Sequence, residues 1–279
     1  MQPDFLIIGA QKCGTSWLHS QLRQHPALYL PQDKDFEFFS YQSNINRDGF
    51  KKWCQRFAGA AEQQTIGDAN AAYFWTSTGS HWAHYPNGFN RDIPGAIRRF
   101  LGADLKLIVL LRDPVDRAVA AYLHHIRHGS VSADQPLLQV AEPLGIIDMG
   151  FYTKHLENWL SCYPREQLLV IRELFNQEAN HAALLAQACR FLGVEEIEFV
   201  GVEEPVFPGL ERFRDESGVW VKTGQKGFDP GALIERAVPL LQQDGEDWII
   251  LVHAAELRVL ERIYQSDQDS LDKLLGAWD

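Results

Sequence analysis

Short apolar runs punctuated by glycine and proline set the rhythm of the chain. Phe5-Leu6-Ile7-Ile8 stops at Gly9 and reads as a buried strand. From Thr15, residues Trp17, Leu18 and Leu22 fall at helical spacing, and the helix is expected to end before Pro26. Leu105 to Leu111 predicts a second strand, closed by Arg112-Asp113-Pro114, with a helix from about Val115 through Tyr122 to Ile126. Tyr152 to Leu160 reads as helix, Gln167 to Ile171 as strand, and Ala182 to Leu192 as a helix ended by Gly193. Strands alternating with helices predict an α/β fold whose central, mostly parallel sheet is covered by helices on both faces. Further on the pattern changes. Residues 195–216 carry eight carboxylates against Arg212 and Arg214 and read as a solvated connection. Ser217 to Gly231, rich in Gly and Lys, reads as a mobile loop, and Trp248 to Leu275 as an amphipathic helix with Leu257, Leu260, Ile263 and Tyr264 along its apolar stripe. No repeat, low-complexity tract or linker breaks the chain, so residues 1–279 are expected to form a single domain.

Composition adds three constraints. With 46% hydrophobic residues in 279, the chain can bury a large core and is not of the disordered class. Lys+Arg 26 against Asp+Glu 37 gives a net charge of −11, which argues against a general nucleic-acid binder. An anionic ligand then requires positive charge concentrated in one place. The four cysteines, Cys13, Cys54, Cys162 and Cys189, form no CxxC pair, so neither a disulfide framework nor structural zinc is expected, and a reducing compartment fits. Met1-Gln2-Pro3-Asp4 lacks a basic region, Phe5 to Ala10 is too short for a signal core, and no apolar stretch approaches the ~18–20 residues of a membrane span. These features lead to the expectation of a cytoplasmic protein without a transmembrane segment.

The segment with the most chemistry is Gly9-Ala10-Gln11-Lys12-Cys13-Gly14-Thr15-Ser16, between the first strand and the first helix. Its glycines let backbone N–H groups converge on an anion, and the helix start adds partial positive charge. A Walker loop needs lysine directly after its second glycine. Here Thr15 holds that place and the lysine lies inside the loop, as Lys12. A ligand-free glycine turn, an ATP kinase and a loop of another kind are all open at this point.

The loop Gln11-Lys12-Cys13-Gly14-Thr15-Ser16-Trp17-Leu18 resembles the 5′-phosphosulfate loop of the sulfotransferases that use 3′-phosphoadenosine 5′-phosphosulfate (PAPS). Leu111-Arg112-Asp113-Pro114-Val115-Asp116-Arg117-Ala118 resembles their 3′-phosphate motif. Further segments are similar to the bacterial and heparan-sulfate-modifying branch, in the family's order. They are Lys34-Asp35-Phe36-Glu37-Phe38-Phe39, Gly67-Asp68-Ala69-Asn70-Ala71-Ala72-Tyr73, Gly150-Phe151-Tyr152 with Trp159 and Pro164 to Leu168, and Tyr264…Asp267…Leu271. The resemblance implies a P-loop-like domain that binds PAPS and releases adenosine 3′,5′-bisphosphate (PAP). Gln11, Lys12, Cys13, Gly14, Thr15, Ser16 and Trp17 would then hold the 5′ side, and Arg112 the 3′-phosphate. Lys12 would meet the charge that develops on the leaving phosphate oxygen.

The same resemblance implies a general base. The family places a glutamate directly after a lysine, in a motif like Lys-Glu-x-His-Phe-Phe. Here Lys34 is retained, Asp35 stands in the glutamate position and Glu37 in the histidine position, and either acid is a candidate. Ala120 replaces a serine usual eight residues after the arginine, and Lys226-Gly227 resembles a late cofactor loop with Phe228 in place of its arginine. A sulfuryl group carries less charge than a phosphoryl group, so no metal is expected. The acceptor is expected to be a neutral or weakly charged glycan, lipid or small molecule, because the chain is acidic and Ala69 stands where heparan-sulfate members carry lysine. A small-molecule kinase and a non-catalytic nucleotide-binding protein are the competing readings. His124, His125 and His128 share a helix, but an HExxH glutamate is missing. The aromatic stretch Tyr73-Phe74-Trp75…His81-Trp82-Ala83-His84-Tyr85 is either core or an acceptor-stacking surface.

Overall fold

The computed structural model describes residues 1–76, 88–132, 135–172, 174, 180–202, 211–223, 241–244 and 247–278. They fall into two compact units: Met1–Arg112 with Lys154–Val206, and Asp113–Thr153 with Phe207–Asp279.

The first unit is built on β1 (Phe5–Gly9), α1 (Thr15–Leu22), β2 (Leu28–Tyr29), α2 (Arg47–Gln55), β3 (Thr65–Ala69), α3 (Ile93–Leu101) and β4 (Lys106–Leu110). Its five-stranded sheet has the order β2-β3-β1-β4-β5, where β5 is Leu168–Ile171, and every pairing is parallel. All five residues of β1 are buried, as the central strand of a sheet covered on both faces requires. Register places Ile7 beside Ala69 and Gly9 beside Val109. The ends of β1, β3 and β4 therefore share one edge of the sheet, the carboxyl edge where α/β folds place their ligands. Gly67 is required by packing, since a Cβ there would lie 2.1 Å from the Phe5 ring.

Along the rest of the chain come α4 (Pro114–Arg127), α5 (Leu137–Val140), α6 (Tyr152–Leu160) and α7 (His181–Leu192). They are followed by β6 (Glu211–Asp215), β7 (Gly218–Thr223), β8 (Leu241–Asp244), β9 (Asp247–His253) and α8 (Ala254–Gly276). β6 to β9 form a second, antiparallel sheet of order β6-β7-β9-β8. In the second unit, α4 and α8 bury one apolar cluster with Val219, Ile250 and Val252 of that sheet. The Tyr264 hydroxyl donates to the Ile147 carbonyl at 2.9 Å, and Thr153 Oγ1 to that of Asp267 at 2.9 Å.

Three expectations are corrected here. Glu211–Asp215 is a strand within the expected acidic connection, and Gly218–Thr223 is a strand within the expected mobile loop. The tail begins with strand β9, so helix occupies only Ala254–Gly276 of it. β6 pairs with β7 in a tight hairpin, Asp215 beside Gly218, and that hairpin is tied to β9 some thirty residues on, with Val219 and Ile250 in the apolar cluster. Among the described residues, no helix is long and apolar enough to cross a membrane.

Candidate active site

β1 delivers the chain to Gly9, and the loop that follows closes on its own backbone. Ala10 N–H donates to the Leu110 carbonyl at 2.9 Å, Cys13 N–H to Ala10 at 3.1 Å, and Leu18 N–H to Gly14 at 3.1 Å. Gly14, the N-cap of α1, is left-handed (φ 95) and no side chain caps this helix. By contrast α2, α3, α4 and α7 each take a side-chain cap, from Asn46, Asp92, Asp113 and Asn180. The first N–H groups of α1 thus have the chemistry of an anion cradle. Cys13 and Thr15 are buried in the loop, and Gln11, Lys12, Gly14 and Ser16 are half-buried. Trp17 donates its indole N–H to the Val202 carbonyl at 3.0 Å and lies 5.3 Å from the His181 ring.

Among the described residues, two non-glycine side chains sit on left-handed backbone, Lys12 (φ 66) and Asp35 (φ 60). Such positions carry a conformational cost and gather at functional sites. Both were singled out by sequence, one on each side of the expected reaction.

Asp35 lies in a loop pinned to the end of β3. Its N–H donates to the Ala69 carbonyl at 2.8 Å, and its Oδ1 accepts from Ala71 N–H at 2.8 Å. Its other carboxylate oxygen is paired with Lys34. The segment after β3 also bonds the strand that leads into the phosphate loop: Asn70 N–H donates to the Ile7 carbonyl at 3.0 Å, and Phe74 N–H to that of Ile8 at 2.6 Å. Two residues past Asp35, Glu37 is half-buried between Phe36 and the fully buried Phe38, Phe39 and Ser40. Burial pushes its carboxyl above the usual carboxylate range, and the charge of Asp35 adds to the shift against Ser40, Asn70 and Lys34.

A set of side chains to which the sequence reading gave no role holds this loop. Asp68, 1% exposed, accepts from Arg56 at 2.9 and 3.0 Å and from the Trp53 indole at 2.9 Å. Burial raises its carboxyl to about 6, against the pull of Arg56. Arg56 also donates to the Asp33 carbonyl and lies over the Phe36 ring at 5.2 Å. The buried Tyr73 hydroxyl donates to the Phe36 carbonyl at 2.9 Å. From α1, buried His19 bonds the Pro31 carbonyl through Nε2 at 3.0 Å. Burial holds its pKa down at about 4, with Arg23 and Lys34 adding to the effect and the Pro31 bond opposing it. Asp68 and Tyr73 lie in the family-like segment 67–73, but nothing in that segment names their partners Arg56, Trp53 and Phe36, which the fold brings to them.

Arg112 lies two residues past β4, after Leu111, whose N–H donates to the Ile171 carbonyl at 2.8 Å. Asp113 caps α4, accepting from Asp116 N–H at 2.8 Å. Ala120 is buried on α4. Lys226, Gly227 and Phe228 lie outside the described residues, as do His81 to Tyr85. Tyr73, Phe74 and Trp75 are buried, the core alternative for that part of the aromatic stretch. The His124 and His128 rings are tilted at 45° to each other with centroids 4.1 Å apart.

Against known proteins, the family model described as "Sulfotransferase domain" matches residues 2–200. The human bifunctional heparan sulfate N-deacetylase/N-sulfotransferase 2 is 28% identical over 238 residues, 78% of this chain and 24% of that protein. Human heparan sulfate glucosamine 3-O-sulfotransferase 5 is 25% identical over 180 residues, 61% of this chain and 47% of its own length. The chain thus spans between about a quarter and a half of these relatives. Among solved structures, a sulfotransferase from Alicyclobacillus acidocaldarius superposes with TM-score 0.57 at 25% identity, covering 75% of this chain and 87% of its own. With the family model matched along both the phosphate loop and the acid loop, the chain belongs to the sulfotransferase domain family.

Proposed function

We propose that this sulfotransferase takes its sulfuryl group from PAPS and passes it, by in-line displacement, to a hydroxyl or amine of an acceptor that carries little charge. The observation that bears most weight is the loop of residues 9–16, where Lys12 is held left-handed beside an α1 start that no side chain caps. These donors fit a 5′-phosphosulfate, whose bound form supplies an activated sulfuryl group on a phosphate leaving group. The loop N–H groups with Thr15 and Ser16 would hold the phosphate, and Lys12 would neutralise the charge left on its bridging oxygen. Arg112, at the same sheet edge, suits the 3′-phosphate, as a multi-donor cation does. An acid of the loop 34–37 would receive the acceptor's proton.

Two features support a weakly charged acceptor. The net charge of −11 leaves little attraction for a polyanion, and Ala69 offers no cation beside Asp35. The relatives' printed names include heparan sulfate and carbohydrate sulfotransferases, which supports a glycan among the candidate classes. Thermal denaturation with PAP, ATP and Mg-ATP tests the donor site. At about 100 times its Kd, PAP is expected to stabilise the fold by about 2.7 kcal/mol without metal. Stabilisation by Mg-ATP alone would sink the reading in favour of a kinase, and stabilisation by none of the three would leave a protein without this nucleotide site. A panel of neutral, acidic and amino oligosaccharides with labelled PAPS then tests the acceptor class.

A further inference from the structure

We propose that Glu37, and not Asp35, is the general base of this enzyme. The inference rests on the sulfotransferase reading above and relocates one role within it. The family resemblance puts Asp35 in the base's position, but this side chain is already engaged. Its Oδ1 accepts from Ala71 N–H at 2.8 Å and its Oδ2 is paired with Lys34, while its own N–H is bonded to Ala69. Taking a proton on Oδ2 would break the Lys34 pair, and taking it on Oδ1 would break the bond that fixes the loop to β3. Asp35 has the bonding of an anchor.

Glu37 is placed differently. Its backbone is fixed on both sides: Phe36 through its carbonyl and ring, and Phe38 and Phe39 by complete burial against Trp53 at 5.7 and 5.3 Å. Asn44 donates to the Glu37 carbonyl at 2.7 Å. The carboxylate itself is flanked by Ser40, Asn70 and Asp35, and no cation pairs with it at ion-pair distance among the described residues. A carboxylate on rigid backbone, partly desolvated and without a salt-bridge partner, is a stronger base than an exposed paired one, which the upward displacement of its carboxyl supports. Asn70 also joins this acid to the donor side, because its N–H bonds Ile7 in the strand that leads into the phosphate loop.

The step balances as follows. The acceptor O–H or N–H bond breaks as its oxygen or nitrogen bonds to sulfur, and the proton goes to a Glu37 carboxylate oxygen. The bond from sulfur to the bridging phosphate oxygen breaks, and its electron pair stays on that oxygen beside Lys12. Asp35 holds Lys34 and the loop in place and takes no proton.

The test compares the full-length wild type with Glu37→Gln and Asp35→Asn. PAP is expected to raise the melting temperature of all three alike, which shows that the variants fold and bind. Labelled PAPS is then supplied with chitobiose and with its N,N′-diacetyl form as amine and hydroxyl probes. E37Q is expected to lose about 100-fold or more in turnover and D35N less than about tenfold. In carboxyl-13C-labelled wild-type protein, the resonance missing from E37Q is expected to titrate above the ordinary glutamate range, and this readout decides if neither sugar is an acceptor. A loss in D35N as large as that in E37Q, or a Glu37 resonance at or below the ordinary range, overturns the assignment. A wild type that PAP does not stabilise would instead refute the PAPS reading, so the two failures are distinguishable.

Discussion

The phosphate loop and the acid loop each carry one left-handed side chain, Lys12 and Asp35, yet they are held by different means. The phosphate loop is a local structure. Its backbone bonds run from Cys13 to Ala10 and from Leu18 to Gly14, and Ala10 N–H bonds the Leu110 carbonyl of the neighbouring strand. The acid loop is held from a distance, by Arg56 after α2, by Asp68 in β3, by Tyr73 beyond it and by His19 on α1. A loop secured by its own backbone is sensitive to what is changed inside it. A loop secured by remote side chains is sensitive to residues that touch no substrate.

Perturbing the two loops separately sharpens this contrast. The largest effect is expected from Arg56→Met, which leaves the Asp68 carboxylate buried without its partner and should cost about 3–5 kcal/mol in urea denaturation at neutral pH. The sign with pH is distinctive. The folded Asp68 carboxyl already lies at about 6, above its unfolded value, and losing Arg56 raises it further. The fold then binds a proton that the unfolded chain does not, so the variant should recover stability as pH falls from 7 toward 5. Equal destabilisation at both values would refute the clamp.

Lys12→Ala comes next. In the proposed mechanism this cation acts on the leaving group, and its loss should lower turnover about 10²–10³-fold while the urea midpoint moves little. A large stability loss with normal turnover would reverse the comparison. For His19 the folded pKa is about 4, well below the ordinary 6.5. The unfolded chain therefore gains a proton first, and stability is lost as pH falls from about 6.5 to about 4, by about 3 kcal/mol for a shift of this size. His19→Leu should flatten that part of the stability profile, and an unchanged slope would sink the claim. The smallest effect is expected from Tyr73→Phe. Removing one hydroxyl bonded to Phe36 should cost about 1 kcal/mol. It should lower kcat more than it raises KM for PAPS, whereas a pure KM effect would place Tyr73 on the donor side.

The same contrast explains what the sequence made legible. β1, β4 and β5 announce themselves as apolar runs, and the phosphate loop is a contiguous motif between strand and helix, so local reading finds both. β3 went unread as a strand because Thr65-Ile66-Gly67-Asp68-Ala69 has Gly67 and Asp68 where an apolar run is expected. Gly67 makes room for the Phe5 ring, and Asp68 is satisfied only by Arg56 and Trp53, partners that folding alone brings near. The antiparallel sheet was missed for a related reason, since β7 and β9 hold each other across a long stretch of chain. For the site, residue types and family order named Lys12, Lys34, Asp35, Glu37 and Arg112. The family order favoured Asp35 over Glu37 as the base, and the proposed reversal rests on what occupies each carboxylate, which only the fold supplies.

One residue gives these two loops a common reference point. Ala71 N–H holds Asp35 at 2.8 Å, and the Ala71 carbonyl faces Gly9, where even a Cβ would come within 3.0 Å. The N–H and the carbonyl belong to the two peptide planes that join at the Ala71 Cα, so the two loops meet across the backbone of a single residue. In the proposed mechanism the spacing between the donor side and the acid side is thus set over one residue of chain, and a change at Ala71 would be felt by both.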